Sequence, residues 1–180
     1  ATALDWSDWG GLGGAVEMCN NNGTCRKLAG GAMCPSYRVT RNERDVTRGR
    51  ANSLRLALTG QLGKDALASD EMAETLKLCV SCKACRRECP TGVDMAKMKI
   101  EVNAARARSR GHTLQQRLVG WLPRYAALAS RLPFAANARD RLPGAARLSE
   151  KLAGLSARRT LPRFRRDAFR DPAGPSGSAD

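Results

Sequence analysis

Histidine, aromatic residues and long apolar runs are all scarce in this chain of 180 residues. It has a single histidine, and 4% of its residues are aromatic. No apolar run approaches the roughly 18 residues from which a membrane-spanning helix is inferred, and no secretory segment is recognisable. With so few aromatic side chains, we expect a modest core that needs additional stabilisation rather than a large, self-sufficient one.

Recognisable catalytic groups are absent as well. No general base, nucleophile or nucleotide-binding loop stands out, and we expect His112 to be a surface residue just past a helix end, without a catalytic role. The glycine-rich stretch at 10–14 does not match a dinucleotide-binding fingerprint, because no hydrophobic strand precedes it. Residues 1–18, with Trp6 and Trp9, are therefore predicted to form a flexible N-terminal arm of loop structure.

The clearest pattern lies in the seven cysteines. The stretch from Cys79 to Pro90 has the spacing C-x2-C-x2-C-x3-C-P, with which bacterial ferredoxins hold iron–sulfur clusters. Three closely spaced thiolates can face one cubane cluster, while the fourth cysteine points towards a neighbouring cluster. Structural zinc sites usually pair two C-x2-C units across a longer gap or include histidine, so they fit less well. The odd cysteine count also argues against a disulfide framework and suits reduced thiols in the cytoplasm.

An incomplete version of the motif occurs earlier in the chain than the complete one. Cys19 and Cys25 match its first and third positions, Asn22 stands at the second, and Cys34 precedes a proline as the last cysteine of the complete run does. In two-cluster ferredoxins the fourth cysteine of each run serves the other cluster. That rule predicts one complete ligand set and one incomplete set: Cys34, Cys79, Cys82 and Cys85 for the first; Cys19, Cys25 and Cys89, with Asn22 at the empty corner, for the second.

The incomplete set predicts an unusual second cluster. An amide oxygen replaces a thiolate poorly on iron, so the site would hold a [3Fe-4S] cluster, or a [4Fe-4S] cluster with one labile iron. The first set would hold an ordinary [4Fe-4S] cluster. The alternative is that Cys19 and Cys25 are ordinary thiols and that only one cluster forms.

The remaining sequence predicts a mainly α protein. Helix starts are indicated at Thr40, Ser69 and Thr91, and a helix end at Gly111. Apolar residues at helical spacing should form the core: Leu54, Leu58, Leu62, Met72, Leu76, Met95, Met98 and Val102. We therefore predict an α-helical ferredoxin domain with two Fe–S sites over residues 19–110, a basic extension of short Pro-broken helices over 111–171, and a disordered tail over 172–180.

Charge is distributed unevenly. The net charge is +14, and most of the excess lies after residue 100. Lys83, Arg86 and Arg87 are expected to offset the negative charge of the clusters, whereas T-R-G-R at 47–50 either does the same or begins a solvated helix. Three functions remain possible for the basic extension: docking on another domain, contact with an anionic membrane surface, or nucleic-acid binding. We favour docking on another domain.

Four segments resemble a known family: C-N-N-N-G-T-C-R-K, M-C-P-S-Y-R-V-T-R-N-E, T-R-G-R-A-N-S-L-R-L-A-L-T-G and C-V-S-C-K-A-C-R-R-E-C-P-T-G-V-D-M-A-K-M-K. They are similar to the iron–sulfur section of FAD-linked oxidases, fused flavin and Fe–S proteins such as D-lactate and D-2-hydroxyglutarate dehydrogenases, and to the glycolate oxidase iron–sulfur subunit. The resemblance is specific over residues 6–110 and looser to 170. Such proteins carry a flavin domain before this section and a cysteine-rich domain after it, so we expect this chain to be a fragment or a truncated product.

The resemblance implies an electron-transfer module of a flavin-dependent 2-hydroxy-acid dehydrogenase. Electrons from reduced FAD on another domain would pass through the clusters to a quinone or cytochrome, in the cytoplasm or at the inner face of the membrane, while the protein places the clusters and tunes their potentials. The alternative from composition is a nucleic-acid-binding protein with a structural Fe–S cluster. Scarce aromatic residues, and a positive charge that lies mostly outside the cluster region, argue against that alternative.

Overall fold

The computed structural model describes residues 1–167, which are helical and contain no β-strand. The predicted mainly α fold class is therefore confirmed. The chain divides into a first unit, residues 1–111, and a second unit that begins at His112. The tail predicted over 172–180 lies outside the described residues.

Six helices make up the first unit. They are α1 (Leu12–Glu17), α2 (Pro35–Thr40), α3 (Thr47–Leu58), α4 (Asp70–Lys77), α5 (Ala84–Glu88) and α6 (Met95–Arg110), with short 3-10 turns at Ser7–Trp9, Thr24–Arg26, Glu43–Asp45 and Ala66–Ala68. Helix α3 is central, since it packs against α1, α4 and α6. The core forms where these helices meet.

Most of the predicted core residues are buried. Leu54 of α3 and Leu76 of α4 are each 1% exposed, and they meet the apolar face of α6. On that face Met95, Met98 and Val102 are buried, as predicted from their helical spacing. Leu58 and Leu62 are exposed instead, because α3 ends at Leu58 and the chain turns away there.

Helix boundaries follow the sequence only in part. Ser69 caps α4 by accepting a hydrogen bond from the Met72 amide at 3.1 Å, and Gly111 ends α6, as predicted. The starts predicted at Thr40 and Thr91 are wrong. Thr40 is the last residue of α2, since Pro35 begins that helix five residues earlier.

The true cap of α6 is Asp94, whose carboxylate accepts a hydrogen bond from the Lys97 amide at 2.9 Å. The Thr91 hydroxyl is engaged elsewhere, 3.2 Å from the sulfur of Cys89. A residue with a favourable capping sequence thus contacts a cysteine of the motif instead, and the helix begins at the next available acceptor.

The prediction of a flexible loop at residues 1–18 is also wrong. This segment contains the Ser7–Trp9 turn and helix α1, and it contributes Trp6 and Val16 to the core. The carboxylate of Glu101 in α6, which is 1% exposed, accepts hydrogen bonds from the amides of Ala3 and Leu4 and from Nε1 of Trp6. These contacts span more than 90 residues of sequence, so local sequence patterns gave no sign of them.

One glycine explains how α1 fits against the preceding turn. A Cβ on Gly14 would lie 1.9 Å from the carbonyl oxygen of Trp9, which is closer than two such atoms can approach. Glycine at this position lets the helix pass over the turn. The glycine-rich stretch therefore serves close packing rather than flexibility.

The second unit consists of short helices that expose apolar side chains. They are α7 (Leu114–Gly120), α8 (Leu122–Arg131), α9 (Pro133–Ala136) and α10 (Ala145–Ala153), and none of their residues is buried. Pro123 and Pro133 lie in the first turns of α8 and α9, so these prolines mark helix starts. Within residues 1–167, no helix combines the length and the apolar character needed to cross a bilayer.

Candidate iron–sulfur centres

The first three cysteines of the complete motif line the same cavity as the last cysteine of the incomplete motif. This first cavity has about 340 Å³ of empty space. Its walls include the three cysteines at the start of the complete run and one cysteine from the other motif: Cys79, Cys82, Cys85 and Cys34. Cys34 comes from a segment 45 residues earlier than Cys79.

A second cavity has the complementary set. It has about 240 Å³ of empty space, and its walls include Cys19, Cys25 and Asn22 from the first motif together with Cys89 from the second. The two groups are those that the exchange of fourth cysteines predicts. Thr47, which is 3% exposed, lines both cavities and so lies between them.

The backbone of the complete run turns sharply between its cysteines. Ser81 and Lys83 both have left-handed conformations, with φ of 55° and 57°. Such a conformation costs a residue other than glycine about 1–2 kcal/mol, and it persists only where surrounding structure enforces it. Here the two turns bring the three cysteines of the run to one wall of the first cavity.

Glu88 joins the two motifs. This residue ends α5, within the complete run, and its carboxylate accepts hydrogen bonds from the amides of Ala32 (2.6 Å) and Met33 (3.1 Å). These two hydrogen bonds lower the pKa of Glu88. They fix the insertion that precedes Cys34 against the second motif, so Cys34 is carried to the first cavity.

A buried arginine faces the sulfur of Cys34. Arg50 in α3 is 0% exposed, and its Nη1 lies 3.6 Å from Cys34 Sγ. Burial acts to raise the pKa of the Cys34 thiol, but the hydroxyl of Ser36, the charge of Arg50 and the hydroxyl of Thr47 outweigh burial and lower that pKa. The surroundings of Cys34 thus favour its thiolate, which is the form that binds iron, whereas burial raises the pKa of the Cys85 thiol on the same cavity.

The sequence left open whether the arginines at 47–50 lie near a cluster or in a solvated helix start. Arg50 is buried beside a cysteine and is not solvated. The predicted cationic residues of the complete run, Lys83, Arg86 and Arg87, are instead exposed. Arg86 lies 3.7 Å from Asp94. Sequence alone could not identify Arg50 as the cation at the sulfur, because burial of α3 against α4 decides which arginine points inward.

The second cavity also has one thiol of raised pKa and one of lowered pKa, but within residues 1–167 it lacks a buried cation. Burial raises the pKa of the Cys25 thiol above its usual range. Burial also opposes ionisation of Cys89, but the Thr91 side chain and amide, with help from Val93 and Asn22, lower its pKa. No guanidinium of the described residues is buried here as Arg50 is in the first cavity; Arg48 on this wall is partly exposed and pairs with Glu43 at 2.6 Å.

The side-chain amide of Asn22 makes a hydrogen bond at each end. Its Oδ1 accepts a hydrogen bond from the Thr24 amide at 2.8 Å, and its Nδ2 donates to Oδ1 of Asn20 at 2.6 Å. The side chain is therefore held in a local turn. It lines the cavity at the position where a complete motif has its second cysteine.

The residues present fit iron–sulfur clusters. All seven cysteines are free thiols that surround two cavities, with hydroxyl, guanidinium and amide donors directed at several of the sulfurs. Over residues 1–167, no three His, Cys, Asp or Glu side chains converge closely enough to hold a single ion. Thiolates arranged around a cavity, with hydrogen bonds to sulfur, are the setting that iron–sulfur clusters require.

Comparison with known proteins agrees with the cysteine pattern. Residues 15–93 match the 4Fe-4S dicluster domain, a range that contains all seven cysteines. The chain is 28% identical over 159 residues to D-2-hydroxyglutarate dehydrogenase of Escherichia coli (strain K12), and 30% identical over 166 residues to the protein of that name from Pantoea ananatis. Each match covers 69% of this chain but only 16% of the relative.

A third relative, D-2-hydroxyglutarate dehydrogenase of Pseudomonas putida, is 29% identical over 124 residues, which cover 51% of this chain and 12% of the relative. No solved structure matches the chain. The resemblance inferred from the sequence motifs is confirmed. The chain carries a 4Fe-4S dicluster domain at residues 15–93, and it is similar to the Fe–S region of D-2-hydroxyglutarate dehydrogenases.

Proposed function

We propose that residues 1–111 form a two-cluster electron-transfer module of a flavin-dependent 2-hydroxy-acid dehydrogenase. The observation that carries the proposal is the exchange of cysteines between the two motifs around adjacent cavities. The relatives are named for D-2-hydroxyglutarate, which makes that 2-hydroxy acid our candidate substrate for the complete enzyme. FAD on another domain would supply electron pairs from the substrate, and iron–sulfur clusters would pass them on singly.

In this proposal, the chain's own residues hold and insulate the clusters. The first cavity takes a [4Fe-4S] cluster on Cys34, Cys79, Cys82 and Cys85, and the second takes a cluster on Cys19, Cys25 and Cys89. Met33, Met95 and Ala96 form a buried side of the first site, whereas Cys82, which also lines it, is exposed. Solvent exposure is one of the factors that set the reduction potential of such clusters.

The exchange of cysteines can be tested directly. Cys34→Ser should remove the ordinary [4Fe-4S] cluster and spare the second one, although Cys34 belongs to the incomplete motif. Cys89→Ser should do the reverse. Iron and sulfide analysis of anaerobically purified protein, with EPR spectra before and after dithionite reduction, measures both. The proposal fails if Cys34→Ser affects only the cluster at Cys19 and Cys25, or if the unmodified protein holds no iron.

For the second cavity we propose a [3Fe-4S] cluster, or a [4Fe-4S] cluster with one labile iron. Support comes from Asn22, whose amide oxygen replaces a thiolate poorly on iron and already accepts a hydrogen bond from the Thr24 amide. Asn22→Cys should convert the site into a stable [4Fe-4S] cluster and abolish any [3Fe-4S] EPR signal seen after mild oxidation. Asn22→Ala, which removes the same side chain without adding a thiol, is the matched control. An unchanged spectrum for Asn22→Cys would exclude this assignment.

We further propose that a flavin-containing domain or subunit donates electrons to the module and that a quinone or cytochrome accepts them, in the cytoplasm or at the inner face of the membrane. The helices of the second unit carry exposed leucines and arginines, which suit docking on such a partner or on anionic lipid. Co-sedimentation with vesicles containing anionic lipid tests the membrane contact. DNA binding that remains tight near physiological salt would instead favour the nucleic-acid alternative.

A further inference from the structure

Arg50 is the largest fully buried side chain within residues 1–167, and its burial needs an explanation. A buried cation is costly unless it is paired and hydrogen-bonded. The nearest carboxylate, that of Asp45, is also buried, but its Oδ1 lies 4.0 Å from Nη2 and makes no hydrogen bond within the described residues. The ion pair within the protein is therefore a loose one.

The guanidinium is instead held by three groups in a fixed orientation. Its Nε donates to the carbonyl oxygen of Thr75 in α4 at 3.1 Å, and its Nη2 donates to Oγ of Ser36 in α2 at 3.1 Å. With both of these positions fixed, Nη1 is directed at the sulfur of Cys34, 3.6 Å away. The rigid fork of arginine is suited to such placement, whereas a lysine would supply only a mobile point charge.

The two cavities differ in whether the arginine on their wall is buried. The first has a cation that is 0% exposed beside one of its sulfurs. On the wall of the second, the side chain of Arg48 is 24% exposed and is bonded to Glu43. Positive charge and hydrogen bonds to sulfur stabilise the reduced state of an iron–sulfur cluster, which carries one more negative charge than the oxidised state. Solvent screens an exposed charge far more than a buried one.

We propose that Arg50 is a positioning residue that raises the reduction potential of the cluster at Cys34, Cys79, Cys82 and Cys85. The inference rests on the proposed function. Loss of the positive charge of Arg50 should therefore make the first cluster harder to reduce and leave the second cluster little affected.

An EPR-monitored redox titration of the full 180-residue chain tests this. Arg50→Gln removes the charge, and it should lower the equilibrium constant for one-electron reduction of the first cluster at least tenfold, which is 59 mV. The second cluster should keep its potential. Arg48→Gln is the matched control on the second cavity, and it should leave the first cluster unchanged.

Equal potentials of the first cluster in Arg50→Gln and in the unmodified protein would overturn the proposal, as would a parallel shift of both clusters. If Arg50→Gln does not retain its clusters, the variant Arg50→Lys is used instead. It keeps a positive charge but loses the rigid guanidinium fork, so we expect a smaller fall in reduction potential, confined to the first cluster. An unchanged potential of the first cluster in Arg50→Lys would contradict the proposal. Iron analysis distinguishes failure of the proposed function from failure of the role proposed for Arg50. Unmodified protein without two clusters refutes the proposed function, whereas two clusters with unaltered potentials refute only the role of Arg50.

Discussion

The contact between Glu101 and the N-terminal segment allows a quantitative prediction. The buried carboxylate accepts hydrogen bonds from the Leu4 amide at 2.7 Å and from the Ala3 amide and Trp6 Nε1 at 2.8 Å. A hydrogen bond to a charged group contributes about 1.5–3 kcal/mol. The variant Glu101→Gln keeps one acceptor oxygen but places an NH2 group against the remaining donor, so we expect a loss of about 3 kcal/mol in the free energy of opening this segment.

Hydrogen exchange measured by mass spectrometry reports that local free energy. A loss of about 3 kcal/mol corresponds to roughly 100-fold faster exchange of the protected amides in a peptide covering residues 1–17. Glu17→Gln, an exposed change in the same segment, is the control and should alter exchange little. If Glu101→Gln exchanges as slowly as the unmodified protein, the carboxylate does not hold the N-terminal segment in place.

The same contact should depend on pH. Burial acts to raise the pKa of Glu101, but the hydrogen bonds from Ala3, Trp6 and Leu4 outweigh burial and lower it below the reference value of 4.5. A group whose pKa is lowered on folding stabilises the fold above its unfolded pKa, and that contribution is lost as pH falls through the folded pKa. The difference in exchange from Glu101→Gln, corrected for intrinsic rates, should therefore be complete at pH 7 and shrink below pH 4.5. A difference that grows on acidification would refute the reasoning.

Two further predictions concern close packing and the link between the motifs. Gly14→Ala places a methyl group 1.9 Å from the Trp9 carbonyl oxygen and should lower the free energy of unfolding by about 1–3 kcal/mol in denaturant titrations. Gly13→Ala in the same helix meets no atom within 4 Å and should be neutral or stabilising by up to about 1 kcal/mol; equal losses would contradict this account. Glu88→Gln should speed loss of iron from the first cluster during chelator challenge, measured by visible absorbance, relative to the exposed change Glu74→Gln. Identical rates would mean that the carboxylate does not secure Cys34.

Features that depend on short-range chemistry could be predicted from the sequence. The grouping of cysteines follows from their spacing and from proline after the fourth position, and the core face of α6 follows from the helical spacing of Met95, Met98 and Val102. Ser69 caps α4 because its hydroxyl accepts a hydrogen bond from the amide three residues later. In each case a short local pattern identified the residues involved, although Cys34 and Cys79 lie 45 residues apart in sequence.

The features that were missed depend on long-range contacts. The N-terminal glycine-rich segment reads as flexible until Glu101 is brought to it by folding. Thr91 has a favourable capping sequence, but its hydroxyl lies at the sulfur of Cys89. The burial of Arg50 depends on α2 and α4, whose Ser36 and Thr75 fix its orientation. No local pattern specifies which of several arginines points towards a sulfur.

The exchange of cysteines has a consequence for how the domain folds. Each cavity takes residues from both motifs, and Thr47 at the start of α3 lines both. If each cavity holds a cluster, as we propose, neither cluster can reach its full ligand set until both motifs have packed on α3. Cluster assembly and folding of residues 1–111 are then a single coupled process, because iron bound at one cavity draws together the same two segments that build the other.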